Sequence, residues 1–156
     1  MSYQSAPVMG FDAALEKLKD ISQEKGLRLT HQRLEILRQL VKAKDHPSAE
    51  TVFGRVRKKL PTLSLDTVYR TLSTFDEVGL IRRVPVTGDQ GRFDADLSPH
   101  HHFVCCACNT IYDFHWDAFD QLELPDAAQS VGQAQDRRVV VRGVCQHCRT
   151  KKSRKH

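Results

Sequence analysis

The chain has 156 residues, 40% of them hydrophobic, so it suits one medium domain or two small ones and can bury a core. No apolar run approaches membrane-spanning length, and Met1–Gly10 lacks the basic start and apolar stretch of a signal peptide, so a cytoplasmic protein with no membrane partner is expected. The net charge of +5 is unevenly spread: residues 25–84 hold 13 Lys/Arg against 6 Asp/Glu, residues 85–148 hold 4 against 9, and residues 149–156 hold five bases and no acid. A basic first half suits phosphates, an acidic second half implies another task, and the basic end reads as a solvated, disordered tail.

In chain order, Phe11 to Lys25 forms a helix with Phe11, Leu15, Leu18 and Ile21 on one face and Gly26 as its stop. Thr30 caps a second helix, with Leu34, Leu37, Leu40 and Val41 inward. Pro47-Ser48 opens a third, with Val52, Phe53 and Val56 apolar, and Pro61 ends the basic run Arg57-Lys58-Lys59. Ser64 caps a fourth, in which Leu65, Val68, Leu72, Phe75 and Val78 recur at helical spacing until Gly79. Leu80 to Val86, a turn at Gly88 and Gly91, and Arg92 to Ala95 read as a hairpin. Helices followed by a β-hairpin are the order of a winged helix-turn-helix. After Asp96 the pattern changes: His102–Cys105, Thr110–Phe114 and 138–144 read as strands, with a short helix at 116–122 and a loose Ala/Gln/Gly stretch between the last two. The expected fold is α+β. A winged-helix domain (1–84) leads through the wing end and hinge (85–97) to a small α/β domain (98–148) and the tail (149–156).

In a helix-turn-helix the second helix enters the major groove. Here that is Leu65 to Glu77, whose core stripe leaves Asp66, Thr67, Tyr69, Arg70 and Ser73 outside. Arg70 can pair with guanine or grip phosphate, and Tyr69 can touch a thymine methyl or a phosphate. The expected DNA-facing set is Ser64, Thr67, Tyr69 and Arg70, with Arg57 and Lys58 on the backbone. Arg55, Lys59, Arg82 and Arg83 are further backbone candidates. A plain amphipathic helix with a wet face is the alternative for this helix taken alone.

Cys105/Cys108 and Cys145/Cys148 form two CxxC pairs 36 residues apart. Two knuckles of this kind complete a closed tetrahedral structural Zn²⁺ site, and paired cysteines in a reducing compartment bind metal more often than they oxidise. Cys106 lies between ligand candidates and points away from such a site. No HExxH or GxSxG occurs. His100 and His102 alternate along an extended segment and can face one way. With Asp113 they make a nitrogen/oxygen set suited to Fe²⁺, Mn²⁺ or a second Zn²⁺. His101 reads as an exposed strand histidine. By pattern alone, His46 and Asp94 are loop residues.

Five ordered blocks extend this reading: His46 to Glu50, Ser64 to Leu72, Arg92 to Asp94, His100 to Cys108 and Gly143 to Cys148. Together they resemble the ferric uptake regulator family over about residues 14–150. The resemblance implies a homodimeric repressor of palindromic double-stranded DNA, with an α/β dimerisation domain and structural zinc on the four cysteines. It implies a regulatory metal site of His46, Asp94, His100, His102 and Asp113, a clamp between the two domains. Asp113 resembles the peroxide-responsive (PerR-like) branch, in which bound Fe²⁺ directs H₂O₂ onto His46 or His100. Tyr69-Arg70-Thr71 is more similar to the iron-sensing branch, so an iron- or zinc-sensing uptake repressor is the competing expectation. Arg137 stands where many members have a histidine of an additional metal site. A zinc-dependent enzyme and a zinc-stabilised interaction module are the more distant readings.

Overall fold

The computed structural model describes residues 9–86, 88 and 90–153. The chain divides into two compact units, one ending at Ser98 and the other beginning at Pro99. The break lies just past the expected hinge, because Arg92–Asp94 is a paired strand of the first unit.

The first unit contains helices α1 (Phe11–Lys25), α2 (His31–Lys42), α3 (Ala49–Val56) and α4 (Leu65–Glu77), then strands β1 (Arg82–Val84) and β2 (Arg92–Asp94). Local chemistry sets the helix starts. The side chains of Thr30, Ser48 and Ser64 accept from the amides of Arg33, Thr51 and Thr67 at 3.3, 3.2 and 3.1 Å. Such caps each stabilise a helix by about 1 kcal/mol. Gly26 closes α1 at φ +66°, in the left-handed region where a side chain would be strained. The core is one cluster in which Leu18, Ile36, Leu37, Val52, Val56, Val68, Leu72 and Phe75 are fully buried, with Leu80, Ile81 and Phe93 closing it from the hairpin. Leu15, Leu34 and Val41 are only half-buried, and Ala14 and Ile36 take the deeper positions. β1 and β2 pair antiparallel, Arg82 opposite Asp94 and Val84 opposite Arg92.

The second unit is a three-stranded sheet in the order β4-β3-β5, from β3 (His101–Cys105), β4 (Ile111–Phe114) and β5 (Val140–Gly143). β3 is central, antiparallel to β4 and parallel to β5. A parallel neighbour requires a long crossover, supplied here by residues 115–139. That connection carries α5 (Asp117–Asp120) and α6 (Asp126–Gln129), so the stretch expected to be loose contains a helical turn. A second correction concerns the tail. Residues 149–153 are not irregular but continue α7 (Gln146–Ser153), which starts in the second cysteine knuckle, where the Arg149 amide donates to the Cys145 carbonyl at 3.0 Å. The rest of the tail, 154–156, and most of the N-terminal stretch read for targeting, 1–8, lie outside the described residues. Gly143 admits the ring of Phe103, which a Cβ at that position would meet at 3.0 Å.

Candidate metal centres and recognition helix

The four paired cysteines converge. Cys105 ends β3, Cys108 follows on the knuckle turn, Cys145 follows β5 and Cys148 lies in α7. Their sulfurs all lie within 4.8 Å of one another. The first knuckle turns through Asn109 at φ +57°, with the Asn109 amide donating to the Cys105 carbonyl at 2.9 Å. The two knuckles are tied to each other: the Cys106 amide donates to the Gly143 carbonyl at 2.7 Å, and the Cys145 amide donates to the Cys105 sulfur at 3.3 Å. That amide is the main reason the Cys105 thiol is lowered to about 6. Hydrogen bonding to Cys108 and Cys145 pushes Cys148 up to about 12. Four thiols this close cannot all ionise without a cation among them, and four sulfurs around one point fit Zn²⁺ as a closed shell. Cys106 is exposed and outside the cluster.

The second donor set in this unit follows from strand alternation. His100 and His102 lie two residues apart, and their Nε2 atoms approach to 3.1 Å. His102 is directly opposite Asp113 in the β3–β4 register. The Asp113 Oδ1 atom is 3.5 Å from His102 Nε2 and 3.8 Å from His100 Nε2. Two imidazole nitrogens and a carboxylate form a facial set suited to Fe²⁺, Mn²⁺ or Zn²⁺.

In the first unit, His46 Nε2 lies 3.5 Å from Asp94 Oδ2. His46 has a positive φ of 47°, uncommon for a residue with a side chain. Asp94 also accepts from the Asp96 amide at 2.8 Å, which fixes its carboxylate at the end of β2. Both residues belong to built pairs rather than to free loops.

His101 departs from expectation. It is buried at 1% exposure on the opposite face of β3 from His100 and His102. Its ring lies 5.4 Å from that of Phe114 and 5.3 Å from that of Phe119. The Val139 amide donates to Nδ1 at 3.1 Å, so Nε2 carries the proton, and Nε2 lies 3.2 Å from Asp120 Oδ1. Sequence alternation separated His101 from its neighbours but could not reveal the rings and carboxylate that cover it. Arg137, on the same side, donates to the backbone carbonyls of Asp120 and Leu122 and lies over the Phe119 ring at 5.6 Å. A guanidinium therefore fastens the α5 segment here.

On α4, Thr67, Tyr69 and Arg70 lie outside the core, while Ser64 is occupied in capping. Arg70 is 80% exposed and pairs with Asp66 at 2.9 Å, one turn away. The Tyr69 hydroxyl donates to Glu50 on α3, which holds the Glu50 carboxyl below its usual range. Lys58 is exposed, and Arg57 lies over the Phe53 ring at 5.1 Å. Other expected phosphate contacts already have partners: Arg55 forks onto Asp45 at 3.1 and 2.6 Å, and Lys59 reaches Glu35 at 3.3 Å.

Comparison with known proteins agrees with this architecture. Residues 24–141 match the family model described as the ferric uptake regulator family. The chain is 36% identical over 140 residues to the peroxide operon regulator of Bacillus subtilis (strain 168), covering 90% of this chain and 94% of that protein. The ferric uptake regulator from Francisella tularensis, solved with iron, superposes with a TM-score of 0.68 at 28% identity, covering 80% of this chain and 96% of that one. PerR from Streptococcus pyogenes, described in terms of peroxide sensing and gene regulation, gives a TM-score of 0.50 at 26% identity, covering 95% and 98%. The extent of these matches establishes that the chain belongs to the ferric uptake regulator family.

Proposed function

We propose that this protein is a metal-dependent, DNA-binding transcriptional repressor that senses peroxide. The observation that carries the reading is the arrangement at the start of β3, where His100, just before the strand, and His102 both approach Asp113 and the strand runs on into Cys105. Zinc on Cys105, Cys108, Cys145 and Cys148 would be a staple. Four sulfur ligands leave no open position for catalysis, which favours a regulator over a zinc enzyme. The staple would hold in register the strands that carry the sensing ligands.

In this reading, His46 and Asp94 of the helical unit and His100, His102 and Asp113 of the sheet unit share one Fe²⁺ or Mn²⁺. An ion held by both units would fix where α4 lies in each protomer of a homodimer on a palindromic operator. Metal and DNA affinities would then be reciprocally coupled. Large exposed apolar side chains support the homodimer: Tyr112, Trp116, Leu122, Val131, Val141 and Val144 all belong to the sheet unit. Ser64, Thr67, Tyr69 and Arg70 would meet the operator, with Arg57 and Lys58 on phosphates. Among the described residues no helix is long and apolar enough to cross a membrane.

Bound Fe²⁺ supplies the redox chemistry that activates H₂O₂ beside a ligating ring. His46 or His100 would gain one oxygen, lose its place in the ligand set, and release the operator. Relatives named for peroxide response support this branch. The iron- or zinc-sensing alternative draws support from the exposed Arg70, a residue similar to that of the iron-sensing branch. Treating Fe²⁺- and Mn²⁺-loaded protein with H₂O₂ and weighing the peptides containing His46 and His100 separates them. A gain of one oxygen in the iron form alone is expected. An unmodified iron form with operator binding intact would establish the alternative.

A further inference from the structure

His46 lies in a loop held from the wing by the Arg92 side chain and by contacts of the β2 backbone. Arg92 on β2 donates through Nε to the His46 carbonyl and through Nη2 to the Asp45 carbonyl at 2.6 Å. Its backbone bridges Ser48, and the next amide, Phe93, donates to the Pro47 carbonyl at 3.1 Å. Asp45 is anchored on its other side by the fork from Arg55 of α3. Arg92 and Asp94 are two residues apart on one strand and so share a face. The two side chains converge on His46, Arg92 gripping its carbonyl while Asp94 faces its ring.

The grip matters because His46 has φ +47°, a conformation that strains a non-glycine residue and persists only where the surroundings enforce it. We infer that Arg92 is a positioning residue for the regulatory metal site: its guanidinium fork holds the His46 backbone left-handed and thereby aims the imidazole at the Asp94 carboxylate. A planar, pre-organised fork suits two successive carbonyls held at once, whereas an ammonium on a flexible stem presents its donors from a single, less fixed point. This deepens the proposed function, resting on the reading that His46 and Asp94 ligate the ion.

Supporting groups of this kind contribute about 10–100-fold to metal affinity. The test is Mn²⁺ titration calorimetry on the zinc-loaded full chain, with zinc content and helical circular dichroism recorded for each variant. Arg92→Ala is expected to weaken Mn²⁺ binding by about 10–100-fold, with zinc content unchanged and Arg92→Lys recovering part of the loss. In a His46→Ala background, Arg92→Ala should add nothing, since the arginine acts through that histidine. With Fe²⁺ and H₂O₂, Arg92→Ala should move the added oxygen from the His46 peptide to the His100 peptide. Wild-type Mn²⁺ affinity in Arg92→Ala, or a full further loss on top of His46→Ala, would overturn the inference while leaving the metal reading intact. A wild-type protein that binds no Mn²⁺ would overturn both. If Arg92→Ala loses its helical signal, Arg92→Lys decides, and unchanged affinity and oxidation pattern in that folded variant count against the fork.

Discussion

Replacing His101 with leucine separates the buried polar network of the sheet unit from its packing. Leucine keeps much of the apolar contact with Phe114 and Phe119 but removes both ring nitrogens. The Val139 amide, which donates to Nδ1 at 3.1 Å, loses its acceptor, and Asp120 Oδ1 loses the polar ring edge 3.2 Å away. A donor left unpaired costs about 1–3 kcal/mol when buried and sits toward the lower part of that range for this part-buried amide, and the contact to a partly exposed carboxylate adds a little more once solvent screening is allowed for. A loss of about 2 kcal/mol follows, roughly a 30-fold change in the unfolding constant. With a urea dependence of about 2 kcal/mol/M, the midpoint falls by about 1 M. Trp116, the chain's single tryptophan, lies 5.5 Å from Phe119, so its fluorescence reports on this unit. The assay is urea unfolding of zinc-loaded protein at one fixed concentration, since the proposed homodimer would make the midpoint concentration-dependent. His101→Asn, whose amide oxygen can take the place of Nδ1, should lose distinctly less than His101→Leu. Equal losses for the two variants, or a leucine midpoint at the wild-type value, would refute the assigned network.

Four further outcomes are expected. Gly143→Val should destabilise the sheet unit by about 1–3 kcal/mol, because its Cβ meets the Phe103 ring, and Phe103→Ala should relieve the clash in a double-mutant cycle. Arg70→Ala should weaken operator binding by about 1–3 kcal/mol and relax sequence preference, whereas Lys58→Ala should reduce the salt slope by about 1 with preference unchanged; gel-shift titrations at several salt concentrations distinguish them. Chelation of zinc should abolish dimerisation or folding of the sheet unit rather than merely blunt the metal response, read by sizing and circular dichroism. The Arg55 fork holds Asp45 below the usual carboxylate range, so this pair's contribution is present above the ordinary aspartate pKa near 3.9 and is lost as pH falls through the lower folded value. Asp45→Asn should therefore lower thermal stability at pH 7 and have no effect at strongly acidic pH.

Sequence by itself determined whatever depends on neighbours along the chain. Thr30 and Ser64 were legible as caps, and Pro47-Ser48 as a helix opening, because a cap bonds an amide three residues away. The shared face of His100 and His102 followed from the two-residue period of a strand, and the CxxC knuckles from the reach of one turn. Ordered motif blocks carried the family resemblance, including residues such as His46 and Asp94 whose spacing alone said nothing. Tertiary structure decided the rest. His101 is a buried, tautomer-fixed strut because Asp120, Phe119 and the Val139 amide arrive from the crossover, 18 to 38 residues further along. Arg55 and Arg92 were indistinguishable from other surface bases until Asp45 and the His46 loop folded against them. A hydrogen bond's partner is set by position in space, and composition and period report only the local chain. That is why the ligand types were legible in advance and the groups that aim them were not.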